Sequence, residues 1–301
     1  MGIDGILNVN KPQGKTSFQV VSFVRKVSGE RRVGHGGTLD PEATGVLPVC
    51  LGRATRLVEF LAEAGKTYRG EIELGVSTDT YDATGNVVGR GDATALTRAN
   101  VEAAVASFVG VVEQVPPLYS ALKHKGVPLY RWARAGVEVP RRPRRVEFFR
   151  IDLLQWLPPL LTLEVECSKG TYIRSLAHDI GDRLGCGAHL KGLVRLRSGP
   201  FEIATAVTMP QIEEGFKGGT WAGLVHPMDV AVLHLPAVTV SNECEGAIAN
   251  GRRLVLADDG SSAARRRAYS QDGRLIAILR YDPAACCWWP DKVLTERRAS
   301  A

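Results

Sequence analysis

Apolar positions along the chain recur at two spacings, one helical and one alternating, and the switches between them mark out the elements. From Thr16 to Val27 the residues Val20, Val21, Val24 and Val27 share one face of a 3.6-residue period, with Thr/Ser at the start and Ser28-Gly29 at the end. That spacing predicts a short amphipathic helix. Gly45 to Gly52 is an apolar run that reads as a covered strand, and Leu57, Phe60, Leu61 and Ala64 then form the apolar face of a helix stopped by Gly65. Between Thr67 and Leu74 the period drops to two. Tyr68, Gly70, Ile72 and Leu74 face one way and Arg69, Glu71 and Glu73 the other, so Tyr68 is expected on the covered face. A helix opening at Thr97 turns Val101, Val105 and Phe108 inward and closes at Gly110. Leu161, Leu163, Val165 and Cys167 alternate with polar neighbours up to a Ser-Lys-Gly-Thr turn. Ile173, Leu176, Ala177, Ile180 and Leu184 then return to helical spacing, with Thr171 the expected N-cap and Gly185 the stop.

After about residue 230 the texture changes to short β-rich pieces separated by turn residues: Pro236 to Val240, Arg253 to Leu256, and Arg274 to Tyr281. They predict a small second domain, mostly β. Asp258 to Arg267 reads as an exposed loop, and no fixed-period repeat is visible. The segment after Pro116-Pro117 is irregular and rich in arginine, and is expected to be an ordered but mobile insertion.

Composition narrows the classes. A chain of 301 residues with 45% hydrophobic content can bury a sizeable core. Its net charge of +6 fits a polyanionic partner without requiring one. Clustering says more: Arg131, Arg134, Arg141, Arg142, Arg144, Arg145 and Arg150 are opposed only by Glu138 and Glu147, a candidate phosphate-contacting surface. The cysteines show no Cys-x-x-Cys spacing and mostly sit in apolar surroundings, which points to a reducing, cytoplasmic compartment. No basic segment leads into an apolar run at the start, and no stretch of about 18 uncharged apolar residues occurs, so neither secretion nor membrane spanning is expected.

Three local features could carry chemistry, and each has a plainer reading. Gly14-Lys15-Thr16 looks like the tail of a phosphate-binding loop, but Val9 stands where that loop needs glycine, so Thr16 reads better as a helix N-cap. Asp40, in Gly34-His-Gly-Gly-Thr-Leu-Asp-Pro41, has the local signature of a turn former. His35 in the same loop lacks partners at metal-ligand spacing and reads as a packing or stacking residue. Tyr172 and Arg174 begin a helix after a strand, where the helix dipole disfavours a cation, so Arg174 should have a carboxylate partner.

Together these pieces resemble the TruB family of tRNA pseudouridine synthases. Gly34 to Pro48 looks like that family's signature. Gly5-Ile-Leu-Asn-Val-Asn-Lys-Pro12 with Thr16-Ser17, Lys66-Thr-Tyr68, Pro117-Leu-Tyr-Ser-Ala-Leu-Lys123 and Cys167-Ser-Lys-Gly-Thr-Tyr-Ile-Arg174 are similar to its other blocks, in order over about residues 3 to 200. Asn10 departs from the acidic residue common there. The tail from about Leu235 to Trp289-Pro-Asp-Lys-Val-Leu294 resembles a PUA-type RNA-binding domain.

The resemblance implies an α+β fold: a catalytic domain over residues 1–232 on a mixed, largely antiparallel sheet flanked by helices, with a basic insertion at about 120–150, and a PUA-like domain over 235–301. It implies isomerisation of uridine 55 in the tRNA T-arm loop. Asp40 would be the catalytic carboxylate, and Arg174 the partner that aims it and lowers its pKa. Tyr68 would pack on the target base or exchange its proton, and Tyr172 would be a second pocket tyrosine. His35 would hold the flipped-out conformation, and Lys11, Arg141 and Arg142 would bind substrate. Neither metal nor organic cofactor is required, and a monomer is expected. The rival is a tRNA-binding or tRNA-folding chaperone without essential turnover, which would have no use for Asp40, Tyr68 and Arg174 together.

Overall fold

The structure, a computed structural model, describes residues 2–120, 122–137, 139–256 and 263–295. Glu138, part of the expected 258–267 loop and the last residues of the expected second domain lie outside them.

The architecture is α+β. A ten-stranded sheet carries, in spatial order, Val225–His226, Gly5–Lys11, Thr44–Leu51, Ala188–Ser198, Lys66–Leu74, Leu160–Cys167, Arg144–Leu157 and Gly110–Gln114, with Val33–His35 and Phe201–Glu202 paired at its side. It is mixed: Thr44–Leu51 runs parallel to Ala188–Ser198, and the remaining pairings are antiparallel. The expected alternation in Lys66–Leu74 holds, with Tyr68, Ile72 and Leu74 buried and Arg69 exposed.

Helices cover the sheet where their apolar stripes require it. Ser17–Ser28 is capped by Thr16 in a reciprocal capping box and ends on left-handed Gly29, so the N-cap reading of Thr16 is the correct one. It buries Val20, Val21 and Val24 against Leu7, Val9, Leu47 and Val49. Ile173–Leu184 lays Ile173, Leu176, Ala177 and Ile180 on Ile72, Leu163 and Val165. Leu176 is fully buried, and its truncation to Ala would cost about 2–5 kcal/mol.

Two expectations about the middle of the chain need correcting. The basic segment does not stay irregular to residue 150, because Arg144–Leu157 is a fourteen-residue strand inside the sheet. The insertion proper is shorter, with a small hairpin, Lys123–His124 with Val127–Pro128, and the helix Leu129–Arg134.

Toward the C-terminus, Ala237–Thr239, Arg265–Tyr269, Leu275–Asp282 and Cys287–Val293 form a separate four-stranded sheet. Arg265–Arg267 therefore belong to a strand rather than to the expected loop, and the expected strand at Arg253–Leu256 reduces to one bridge, Leu254 to Trp288. This sheet shares a core with the large one through Leu275, Ile278 and Leu294 against Ile6, Phe60 and Leu61, reinforced by Lys292–Glu59 at 3.0 Å. Among the described residues no helix is long and apolar enough to cross a membrane.

Candidate active site

The loop from Gly36 to Ala43 joins the antiparallel strands Val33–His35 and Thr44–Leu51, and the glycines at its start and just after its end are dictated by what surrounds them. A Cβ on Gly36 would lie 2.6 Å from the Cβ of Leu61. Gly45 has φ +99, and a Cβ there would lie 2.3 Å from the Arg195 carbonyl oxygen. From the front, Ser17 Oγ accepts from the Leu39 N–H at 2.9 Å and donates to the Leu39 carbonyl at 3.1 Å, fixing the residue before Asp40.

Behind the loop stand three buried cations whose charges are spent on main-chain carbonyls. Arg195, 1% exposed, donates to Val46 at 2.6 Å, Gly37 at 3.1 Å and Thr38 at 3.3 Å. Lys66 donates to Ala62 at 2.5 Å and Ala64 at 2.6 Å, satisfying the end of the Val58–Glu63 helix. Lys11 donates to the carbonyls of Pro12, Lys15 and Pro41 at 3.0, 2.6 and 2.9 Å. Burial pushes both lysines down to about 8. The expectation that Lys11 contacts substrate is corrected here: it is fully buried, and its ammonium donates to three carbonyls that tie the N-terminal segment to the Asp40 loop.

Arg174 holds the front of the site. Its Nε lies 2.9 Å from Asp40 Oδ2, an ion pair rather than a well-aligned hydrogen bond, since the Nε–H has no acceptor on its axis. Nη1 reaches Asp82 Oδ2 at 3.2 Å and Thr80 O at 3.4 Å, and Nη2 donates to Tyr119 O at 2.9 Å. The carboxylate partner expected for this arginine is thus two carboxylates. Thr171 is not the N-cap; that position is Tyr172, which has no side-chain cap of its own. Gln114 does the holding, accepting from the Tyr172 N–H at 2.8 Å and donating to its carbonyl at 3.0 Å.

Asp40 was expected to have a lowered pKa, and the net direction is upward. Withdrawal from bulk water raises it and the Arg174 guanidinium opposes; Asp82 adds to the rise and Lys11 opposes it. The carboxylate nonetheless keeps 42% of its side-chain surface open to the cleft.

Asp40, Tyr68, Tyr172, Arg174, Leu193 and Arg195 line one cavity of about 300 Å³. Burial pushes the Tyr68 phenol up, Arg195 beside it pulling the other way, and burial also raises Tyr172. On the other side of Asp40 a wider cleft of about 780 Å³ is lined by His35, Phe18, Thr80, Asp82, Tyr119 and Tyr130. His35 is pushed down by burial and by Arg195. Arg141 and Arg142 line neither cavity; Arg141 donates to Pro116 O at 3.2 Å and Arg142 is exposed. The fold therefore gathers Tyr68, Tyr172, Arg174 and His35 around the Asp40 carboxylate. It adds Asp82, Gln114 and Arg195, which sequence reasoning missed. Among the described residues no group of three or more His, Cys, Asp or Glu side chains could hold a metal.

The sheet and its covering elements match solved Cbf5 structures, and the family models that match the chain define the class: a pseudouridine synthase. The crystal structure of a Cbf5-Nop10-Gar1 complex aligns at TM-score 0.75 and 29% identity over 97% of this chain and 85% of that one. An H/ACA RNP bound to a substrate RNA containing 2′-deoxyuridine aligns at 0.72 and 27% over 97% and 86%. In sequence, tRNA pseudouridine synthase B of Dehalococcoides mccartyi is 45% identical over 97% of this chain and 96% of its own length. That of Syntrophotalea carbinolica is 53% identical over 70% and 69%. Residues 25–173 match the TruB family pseudouridylate synthase N-terminal domain, and 174–233 the tRNA pseudouridylate synthase B C-terminal domain. The chain belongs to the TruB family of pseudouridine synthases.

Proposed function

We propose that this chain isomerises uridine 55 in the T-arm loop of tRNA to pseudouridine, with Asp40 acting on a nucleotide flipped out of the loop. The observation that carries this reading is the Asp40–Arg174 ion pair on the wall of a cavity shared with Tyr68 and Tyr172. In the reaction the N1–C1′ bond breaks, the uracil turns, C5 bonds to C1′, the C5 proton leaves and N1 takes one up. Nothing is oxidised or reduced, and no second substrate enters.

Asp40 works as the ionised carboxylate, the form that Arg174 favours. Tyr68 stays a neutral phenol, since its pKa is raised by burial, and it packs on the base rather than serving as a ready base. Flipping a nucleotide costs a few kcal/mol, and stacking at about 1–3 kcal/mol per aromatic contact offsets it. Tyr68 and Tyr172 supply this inside the cavity, and His35 supplies it in the adjoining cleft. Arg142 and its neighbours on the insertion meet phosphates, and the C-terminal sheet is a PUA-type RNA-binding module. The enzyme acts as a monomer in the cytoplasm, where tRNA is its partner.

The test is incubation of the purified protein with unmodified tRNA, without metal or nucleotide, followed by chemical mapping of pseudouridine. Product is expected at the T-loop uridine with the wild type and at background with Asp40→Asn, which still binds tRNA. An unmodified T-loop uridine after exhaustive incubation overturns the assignment.

A further inference from the structure

We propose that Tyr81 and His178 form a positioning pair that sets the Asp82 carboxylate, and through it the Arg174 guanidinium, against Asp40. The inference rests on the reading of Asp40 as the catalytic carboxylate. Tyr81 has φ +64, a left-handed conformation that a bulky side chain rarely adopts and that persists only where the surroundings enforce it. Its ring stacks on the His178 imidazole with centroids 4.0 Å apart and planes within 8°. His178 lies one helical turn after Arg174 in Ile173–Leu184, so both project from one face of the helix.

That face grips the same turn twice. Arg174 takes the Thr80 carbonyl and the Asp82 carboxylate, the residues on either side of Tyr81, while His178 takes the Tyr81 ring between them. Asp82 is rigid within its turn. Its Oδ1 accepts from Thr80 Oγ1 at 2.7 Å, from the Thr84 N–H at 3.0 Å and from Thr84 Oγ1 at 2.6 Å, leaving Oδ2 for Arg174. The turn is tied to the strand Ala188–Ser198 by Leu190 N–H to Tyr81 O at 2.9 Å and Ala83 N–H to Leu190 O at 3.0 Å. Those bonds fix it to the sheet. The stack fixes it to the helix that carries Arg174, and so sets the distance between Asp82 and the guanidinium. His178 is itself aimed by Asp182, 3.4 Å from its Nε2.

The experiment compares single-turnover and steady-state kinetics on unmodified tRNA, well below the melting temperature of each variant. Glycine adopts the Tyr81 backbone freely, so Tyr81→Gly removes the ring while relieving the turn. Tyr81→Gly and His178→Ala are each expected to lower kcat about tenfold at unchanged KM, and the double variant to fall no further, because the pair acts as a unit. Tyr81→Phe keeps the stack and is expected to restore kcat. Wild-type kcat in Tyr81→Gly, a loss confined to KM, additive losses in the double variant, or failure of Tyr81→Phe to rescue would each overturn the pair. Asp40→Asn is measured alongside: turnover by that variant overturns the reading of Asp40 itself, whereas its inactivity beside a Tyr81→Gly of wild-type kcat overturns only the positioning role.

Discussion

Replacing Arg174 by alanine tests how this site holds its charge. The guanidinium has four partners on three nitrogens: the Asp40 carboxylate as an ion pair at 2.9 Å, and hydrogen bonds to Asp82 at 3.2 Å, Thr80 O at 3.4 Å and Tyr119 O at 2.9 Å. Alanine leaves both carboxylates and both carbonyls without it. Truncating one partner of a buried, hydrogen-bonded charge pair costs about 2–5 kcal/mol. Asp40 keeps 42% of its side-chain surface accessible and water screens its share, while Asp82 keeps only 19%. The lower half of the range applies, about 2–3 kcal/mol, or roughly 30- to 150-fold in kcat/KM.

The pH dependence gives the sign. Arg174 is the largest downward influence on Asp40; without it, burial and Asp82 push the carboxyl higher still. On the proposed role of Asp40 turnover uses the ionised form, so the acid limb of kcat/KM moves to higher pH in Arg174→Ala, and the deficit is worst in acid and narrows toward alkaline pH. In stability, a raised carboxyl contributes fully below its unfolded pKa, and that contribution is lost as pH rises through the folded value. The destabilisation by Arg174→Ala therefore grows from acid to neutral pH, as the Asp40 carboxyl it leaves behind ionises. Release of tritium from C5-labelled uridine in tRNA follows turnover, and urea melts follow stability. A pH-independent deficit, or an acid limb that moves down, refutes the reasoning.

The basic insertion, the glycines and the buried lysine give further expectations. Arg142→Glu should weaken tRNA binding and lower its salt slope by about 1 if the exposed side chain meets one phosphate. Arg141→Glu should lose more, because that side chain also holds Pro116 O, and filter binding across a salt series measures both. Gly45→Ala forces a Cβ to 2.3 Å from the Arg195 carbonyl at φ +99 and should destabilise by about 2–5 kcal/mol in urea melts. Lys11, lowered by burial to about 8 from 10.5, favours its neutral form when folded. Wild type should gain stability relative to Lys11→Met as pH rises from about 8 toward 10.5, and a flat difference in melting temperature would contradict its burial.

What was legible in the sequence follows periodicity and contiguity. Thr16–Val27, Thr67–Leu74 and Leu161–Cys167 read correctly because one apolar face recurs without interruption. Arg144–Leu157 did not. Register shifts between Phe148 and Arg150 and between Leu153 and Gln155 break its alternation, and arginines crowd its start. Asp82 was hidden by its neighbours, since Asp79-Thr80-Tyr81-Asp82 and Thr84-Gly85 have the composition of an ordinary turn, and only the fold brings that turn to Arg174. Arg195 was missed for the opposite reason. A charged residue in a strand reads as a solvent-facing one, and nothing local reveals that its guanidinium faces loop carbonyls from Gly37 and Thr38.

The carboxylate is placed by cations that bind backbone, and this explains why the site's residues are scattered along the chain. Main-chain carbonyls exist at every residue, so a loop can be clamped by side chains arriving from anywhere in the fold. Lys11 reaches the loop from the first strand, and Arg195 from the parallel neighbour of Thr44–Leu51. Lys66, two residues before Tyr68, closes the helix that Gly36 packs against. Arg174 alone spends its charge on carboxylates, and it is also the one of the four that faces both cavities beside Asp40. Lys11 and Arg195 thus fix where the loop is and Lys66 holds the helix beside it, while Arg174 sets the charge the loop presents. Substitutions at Lys11, Lys66 or Arg195 should therefore lower stability and activity together, whereas those at Arg174 should shift the pH profile as well.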